Sequence, residues 1–225
     1  MDAFYASVEM ARHPALRDVP MFVGGSTRGV VLSANYPARR FGIGAGMPSS
    51  RARRLCPQVA VVHPDFDHYS AVSDGVSEIF DTLTDRVEMV SIDEAFIDLT
   101  TALRRLGGDP VAIGERLRAQ VMDEQGIACS VGIGPSKFIA KLASKQAKPD
   151  GLVRVLPADT IAFLHPLPVE AIWGWGRPPR ESCTASASTR CATWPTRRGP
   201  PCSGRSATGR ARCCSTWRGG VTTGR

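Results

Sequence analysis

The stretch VEMVSIDEAFIDLT, residues 87–100, sets two adjacent carboxylates, Asp93 and Glu94, between runs rich in Val, Ile, Phe and Met. The runs read as two β-strands with the acids at the turn between them. Charges this close to a core are costly unless a cation or hydrogen bonds compensate. Two readings follow. In a plain hairpin the acids face water. In a metal site they offer the hard oxygens that Mg²⁺ prefers, with waters and substrate phosphates completing its shell.

Working outward, Val72, Val76, Ile79 and Leu83 recur at helical spacing and predict an amphipathic helix over residues 68–83. Beyond the hairpin, Ile113, Leu117 and Val121 mark the buried face of a second helix over residues 110–124. IACSVGIG, residues 127–134, reads as a strand, and PSKFIAKLASKQAKPDG, residues 135–151, as a third helix stopped by Lys-Pro-Asp-Gly. Upstream, MFVGG and GVVLSAN predict two short strands around a Gly-rich turn, followed by a short helix and loop in YPARRFGIGAGMP. With MDAFYASVE ending an initial strand and opening a helix, the order approximates a split βαβ sheet with helices on one face, an α+β fold.

The chain has 225 residues and a formal charge of +7. That charge would point to nucleic acid, but its distribution withdraws the argument. Residues 177–225 hold ten arginines and one acid, Glu181, a net of +9, so residues 1–176 carry the remaining 18 basic and 20 acidic side chains, a net of −2. The same tail holds five of the seven cysteines and no Leu, Ile, Phe, Tyr, Met or Lys. Such a composition cannot bury enough apolar area to offset chain entropy, and a disordered C-terminal tail is expected. Of its cysteines only Cys213 and Cys214 are close, and adjacency is not zinc spacing. There is no apolar run of about 18 residues and no signal-peptide pattern, so a cytoplasmic protein is expected.

Two segments add cations. Lys137, Lys141 and Lys145 form a stripe on the third helix, and Lys148 sits where that helix ends against Pro149, able to meet a phosphate as a point charge. For the first three a solvated helix face is an equal alternative. Tyr36, Arg39 and Arg40 stand at the start of a short helix whose first turn accepts Pro37, and Arg39 near its N-terminus is a plausible anion clamp.

In order, MDAFYASVE, NYPARRFGIGAGMP, SIDEAFIDLT, GIGPSKFIAKLASKQAKPDG and IWGWG resemble the successive signatures of Y-family translesion DNA polymerases of the bacterial DNA polymerase IV type. The resemblance implies a palm over residues 1–4 and 66–155, small fingers over residues 5–65, and the start of a helical thumb over residues 156–176. It implies template-directed DNA synthesis across damaged DNA, with primer–template DNA and a dNTP as partners, no membrane, and a sliding clamp reached through a region not in this chain. Asp93 and Glu94 take the catalytic role and, with Met1 at the middle of an Asp-x-Asp motif, the ligand role for two Mg²⁺ ions. Phe4, Tyr5, Tyr36, Arg39 and Lys148 match nucleotide-binding positions, Tyr5 being the side chain that excludes a ribose 2′-hydroxyl. Pro37 stands where the family pattern leads us to expect an acid.

The resemblance also implies an apolar strand and a first Asp ahead of Met1, whose loss would cripple activity. Reading residues 173–187 in a shifted codon phase restores the thumb pattern, which implies a frameshift near Trp173; an ordinary basic tail is the alternative. Two other functions stay in view: a noncatalytic DNA-binding remnant, and a nucleotidyl cyclase, which leaves YPARRFGIGAGMP unexplained.

Overall fold

The computed structural model describes residues 1–26, 29–168 and 171. The expected disordered tail and the shifted reading frame lie outside these residues.

The first helix, α1 (Phe4–Arg12), is buried along most of its length, Phe4, Ala6, Ser7, Val8 and Glu9 included, and reaches solvent fully at Arg12. It shares one core with α4 (Phe66–Asp81) and α5 (Pro110–Gln125), through Tyr69, Val76 and Ile79 on one and Ile113, Leu117 and Val121 on the other. Each of these two helices opens on an aspartate whose carboxylate accepts backbone N–H groups, Asp65 for His68 and Asp109 for Val111 and Ala112. Pro110 occupies the first turn of α5, and Gly126, at φ 68°, closes it in the left-handed conformation.

Between α1 and α4 lies a second, smaller core. Strands β1 (Met21–Gly24) and β2 (Val31–Ala34) pair antiparallel, and β3 (Ala60–Val62) joins β1 in parallel, giving the order β2-β1-β3. The helices α2 (Tyr36–Arg39) and α3 (Ser49–Leu55) cover it, burying Ala38 and Ala52 with Phe22 and Val31. Neither α3 nor β3 was expected from the sequence. One fully buried side chain, Asn35, pins this unit together. Its Oδ1 accepts from the Ala38 and Met21 amides, and its Nδ2 donates to the Val19 carbonyl at 2.8 Å.

The carboxylate hairpin forms as expected, from β4 (Val87–Ser91) and β5 (Glu94–Ile97), with Glu88 opposite Phe96. The strand of IACSVGIG shortens to β6 (Val131–Ile133), which pairs in parallel with the unanticipated β7 (Leu152–Arg154). The α+β class holds, but the split βαβ sheet is in two pieces: among the described residues no ladder joins β4-β5 to β6-β7. A groove of about 890 Å³ separates them, walled by Ile97, Leu99, Val131 and Ile133. Ion pairs from α6 (Lys137–Ala147) cross it, Lys137 to Glu88 and Lys141 to Glu94. Gly132 in β6 presses against α6 so closely that a Cβ there would meet the Ala140 carbonyl at 2.0 Å and the Ser144 amide at 2.2 Å. Beyond β7, α7 (Thr160–Leu164) lays Phe163 and Leu164 against Ile139, Ala143 and Val155.

Candidate nucleotide site

Four separate elements bring chemistry-bearing side chains to one pocket of about 220 Å³: Phe4 and Tyr5 from α1, Arg39 from α2, Asp93 from the hairpin turn and Lys148 from the end of α6. Met1 lines it as well, and its carbonyl accepts from Lys148 Nζ at 2.7 Å. The Met1 amino group in turn donates to the Asp93 carbonyl at 2.6 Å, which ties the hairpin turn to the start of α1.

Arg39 is aimed from behind. Its Nε donates to the Ala34 carbonyl at 2.9 Å, and its guanidinium lies over the Tyr36 ring, 4.8 Å from the centroid. Tyr36 is outside the pocket lining, but its hydroxyl is buried with no hydrogen-bond partner among the described residues. Burial, reinforced by the negative charges of Asp2 and Asp150, pushes that phenol above its ordinary pKa. Such a donor is unsatisfied until an acceptor arrives.

Tyr5 belongs to an aromatic cluster. Its ring stacks on Tyr69 at 4.7 Å, lies 5.6 Å from Phe4, and meets the edge of Phe66 at 6.1 Å. Tyr69 is itself anchored, donating its hydroxyl at 2.7 Å to Glu9, a carboxylate buried on α1. Burial and this hydrogen bond drive the Tyr69 phenol far above its ordinary pKa. Glu9 and Tyr69 were not singled out in the sequence. The signal was present for Tyr69, which falls on the same helical face as Val72 and Val76.

The two hairpin acids part company. Asp93 lines both the pocket and the large groove and accepts from Ser91 Oγ at 2.8 Å, whereas Glu94 lines the groove alone and accepts from Lys141 Nζ at 2.6 Å. Among the described residues no group of three or more His, Cys, Asp or Glu side chains gathers around a point that could hold a metal ion. Behind Lys148 stands Asp2, the second aspartate of the expected Asp-x-Asp motif, 1% exposed and bonded through Oδ2 to Ser130 Oγ at 2.6 Å and to the Asp150 amide at 2.7 Å.

Two cations, an aromatic ring and a carboxylate in one small pocket have the chemistry to hold a phosphate-bearing ligand. Residues 1–145 match the family described as impB/mucB/samB. The chain belongs to that family. Its solved neighbours include Y-family DNA polymerases. It is 47% identical over 176 residues to DNA polymerase IV 2 of Mesorhizobium japonicum, spanning 78% of this chain and 41% of the relative. It is 45% identical over 178 residues to DNA polymerase IV of Protochlamydia amoebophila, spanning 78% of this chain and 51% of the relative. The fold is similar to DinB from Sulfolobus solfataricus, with a TM-score of 0.72 and 30% identity, over 78% of this chain and 52% of that one. An insertion ternary complex of Dbh DNA polymerase gives the same TM-score, 0.72, at 29% identity, over 78% of this chain and 53% of that one. The chain therefore spans about half the length of these relatives. No helix of the described residues is long and apolar enough to cross a membrane.

Proposed function

We propose that this impB/mucB/samB family chain carries the nucleotide-binding half of a template-directed DNA polymerase of the translesion type, working in the cytoplasm on primer–template DNA. The observation that carries the reading is the convergence of Tyr5, Arg39, Asp93 and Lys148 on one pocket. In this reading residues 1–4 and 66–155 are palm, residues 5–65 fingers, and the thumb starts near residue 156. A sliding clamp is the further partner implied by the family.

Each side chain then has a task. Arg39, held by Ala34 and Tyr36, grips the triphosphate through its fork of N–H donors, and Lys148 adds a point charge beside it. The buried Tyr36 hydroxyl supplies a further donor. Tyr5, backed by Tyr69, sets a flat wall where the sugar lies and leaves no room for a 2′-hydroxyl. With the triphosphate so fixed, a primer 3′-oxygen attacks the α-phosphorus. The bond to pyrophosphate breaks, and the proton of the 3′-hydroxyl passes to solvent water.

The donor chemistry of Asp93, Glu94 and the Met1 carbonyl fits hard divalent cations, and these residues would hold Mg²⁺, two ions in the full reading. When bound, Mg²⁺ activates the attacking oxygen and stabilises the departing charge. The chain's own residues leave this set incomplete: Glu94 is held by Lys141, and Lys148 occupies the Met1 carbonyl. That observation favours a second reading, a noncatalytic DNA-binding remnant. Primer extension alongside a gel-shift and a dNTP-binding titration separates the two. Extension with Mg²⁺ supports the polymerase, DNA binding without extension supports the remnant, and no binding of either ligand rejects both.

A further inference from the structure

Lys148 does not hold itself in the pocket. It lies at the end of α6 on an extended backbone, and its ammonium is placed by two groups, the Met1 carbonyl at 2.7 Å and Asp2 Oδ1 at 3.1 Å. Asp2 is the better-anchored of the two. Its Oδ2 takes Ser130 Oγ and the Asp150 amide, its own amide donates to the Ala128 carbonyl at 3.0 Å, and its carbonyl accepts from Ser7 Oγ at 2.5 Å. Its Oδ1 is buried with no aligned hydrogen bond among the described residues and lies 3.1 Å from the ammonium. A buried carboxylate with one oxygen unspent is costly unless a cation answers it.

We infer that Asp2 is a positioning residue for nucleotide binding, acting through Lys148. One side of its carboxylate locks β6 and the turn after α6 together; the other side aims the ammonium into the pocket. This inference rests on the proposed role of Lys148 toward the triphosphate.

The test is a dNTP-binding titration on the 225-residue chain, its Asp2→Asn and Lys148→Ala variants and the double variant. The carboxamide introduced by Asp2→Asn would keep an acceptor for Ser130 and Asp150 but set an NH₂ group against the ammonium. Asp2→Asn should weaken binding about tenfold when Lys148 is present and less than about twofold in the Lys148→Ala background. Equal loss in both backgrounds marks a merely structural role and overturns the inference. So does tighter binding by Asp2→Asn, which would make Asp2 only a repeller of the phosphates. If Asp2→Asn does not fold, Ser130→Ala carries the test: it leaves the charge but removes a bond that aims it, and should weaken binding about threefold, again only with Lys148 present. No binding by the parent chain rejects the pocket's reading and this inference with it. Parent binding that Lys148→Ala weakens and Asp2→Asn leaves unchanged keeps the reading and rejects the inference alone.

Discussion

The two cationic arms of the pocket and the two acids of the hairpin are built to different standards. Arg39 is braced by a backbone carbonyl and an aromatic face, and Lys148 by a carbonyl and a buried carboxylate. Asp93, half-buried in the turn, is bonded to Ser91 and tied through its carbonyl to the Met1 amino group, and Glu94, exposed at the start of β5, is drawn across the groove by Lys141. Groups held by several fixed partners lose little freedom when a ligand arrives. In the proposed reading the side that would receive phosphate is braced in advance, whereas Glu94, on the side that would receive metal, is already engaged by Lys141. Binding and chemistry should come apart in this chain.

The largest effect expected from this difference is in synthesis. The 225-residue chain should bind dNTP yet extend a primer at least about 100-fold more slowly than a full-length relative, since incomplete metal ligation forfeits several kcal/mol of transition-state stabilisation. Robust Mg²⁺-dependent extension that Asp93→Ala abolishes would falsify the comparison. Next come the phosphate contacts. Arg39→Ala and Lys148→Ala should each weaken dNTP binding by about 10- to 100-fold, the worth of a charge-assisted hydrogen bond, read by fluorescence titration without Mg²⁺. Affinities within error of the parent in both would move the anion site elsewhere.

A smaller change is expected at the sugar wall. Tyr5→Ala should reduce the preference for dNTP over rNTP by about tenfold, the relief of an overpacking of ~1–3 kcal/mol. An unchanged ratio of the two affinities would show that the ring does not meet the 2′ position. The smallest effect concerns acid. Burial alone would raise the Asp2 pKa, but Ser130, the Asp150 amide and Lys148 together hold it below the ordinary value. A carboxyl lowered on folding adds stability above its unfolded pKa and gives it up as pH falls through the folded one. The Tm should thus stay level from pH 7 to about 5 and decline below about 4, with a shallower decline in Asp2→Asn. Identical pH profiles would show that Asp2 is no part of the acid response.

Much of this comparison was legible in the residues alone, for a physical reason. Helical spacing exposed the faces of α4 and α5, and the apolar flanks of Asp93 exposed the hairpin, because periodic burial is a local pattern. Lys148 stood out through its place at a helix end, and Arg39 through its place in a short helix, although it closes α2 rather than sitting near its N-terminus as expected, because that helix is only four residues long. The supports behind them did not. Asn35, Glu9 and Tyr69 act through partners distant along the chain, such as Glu9 for Tyr69, and Asp2, although its motif was recognised, acts through Ser130; no local pattern announces a contact of that range. The strands β3 and β7 were missed likewise, since three residues each carry too little alternation to register. The gap between the hairpin and β6 escaped notice because strand order alone does not say whether neighbouring strands meet.

Gly132 shows where such reach becomes a constraint on change. With the Ala140 carbonyl 2.0 Å from where a Cβ would stand, no side chain fits without moving the helix as a rigid body. Because α6 carries Lys148 at its far end, the missing methyl group sets the position of an ammonium that it never touches. Gly132 nevertheless lines the groove and not the nucleotide site. The simplest side chain in the strand acts as a spacer gauge for the whole arm.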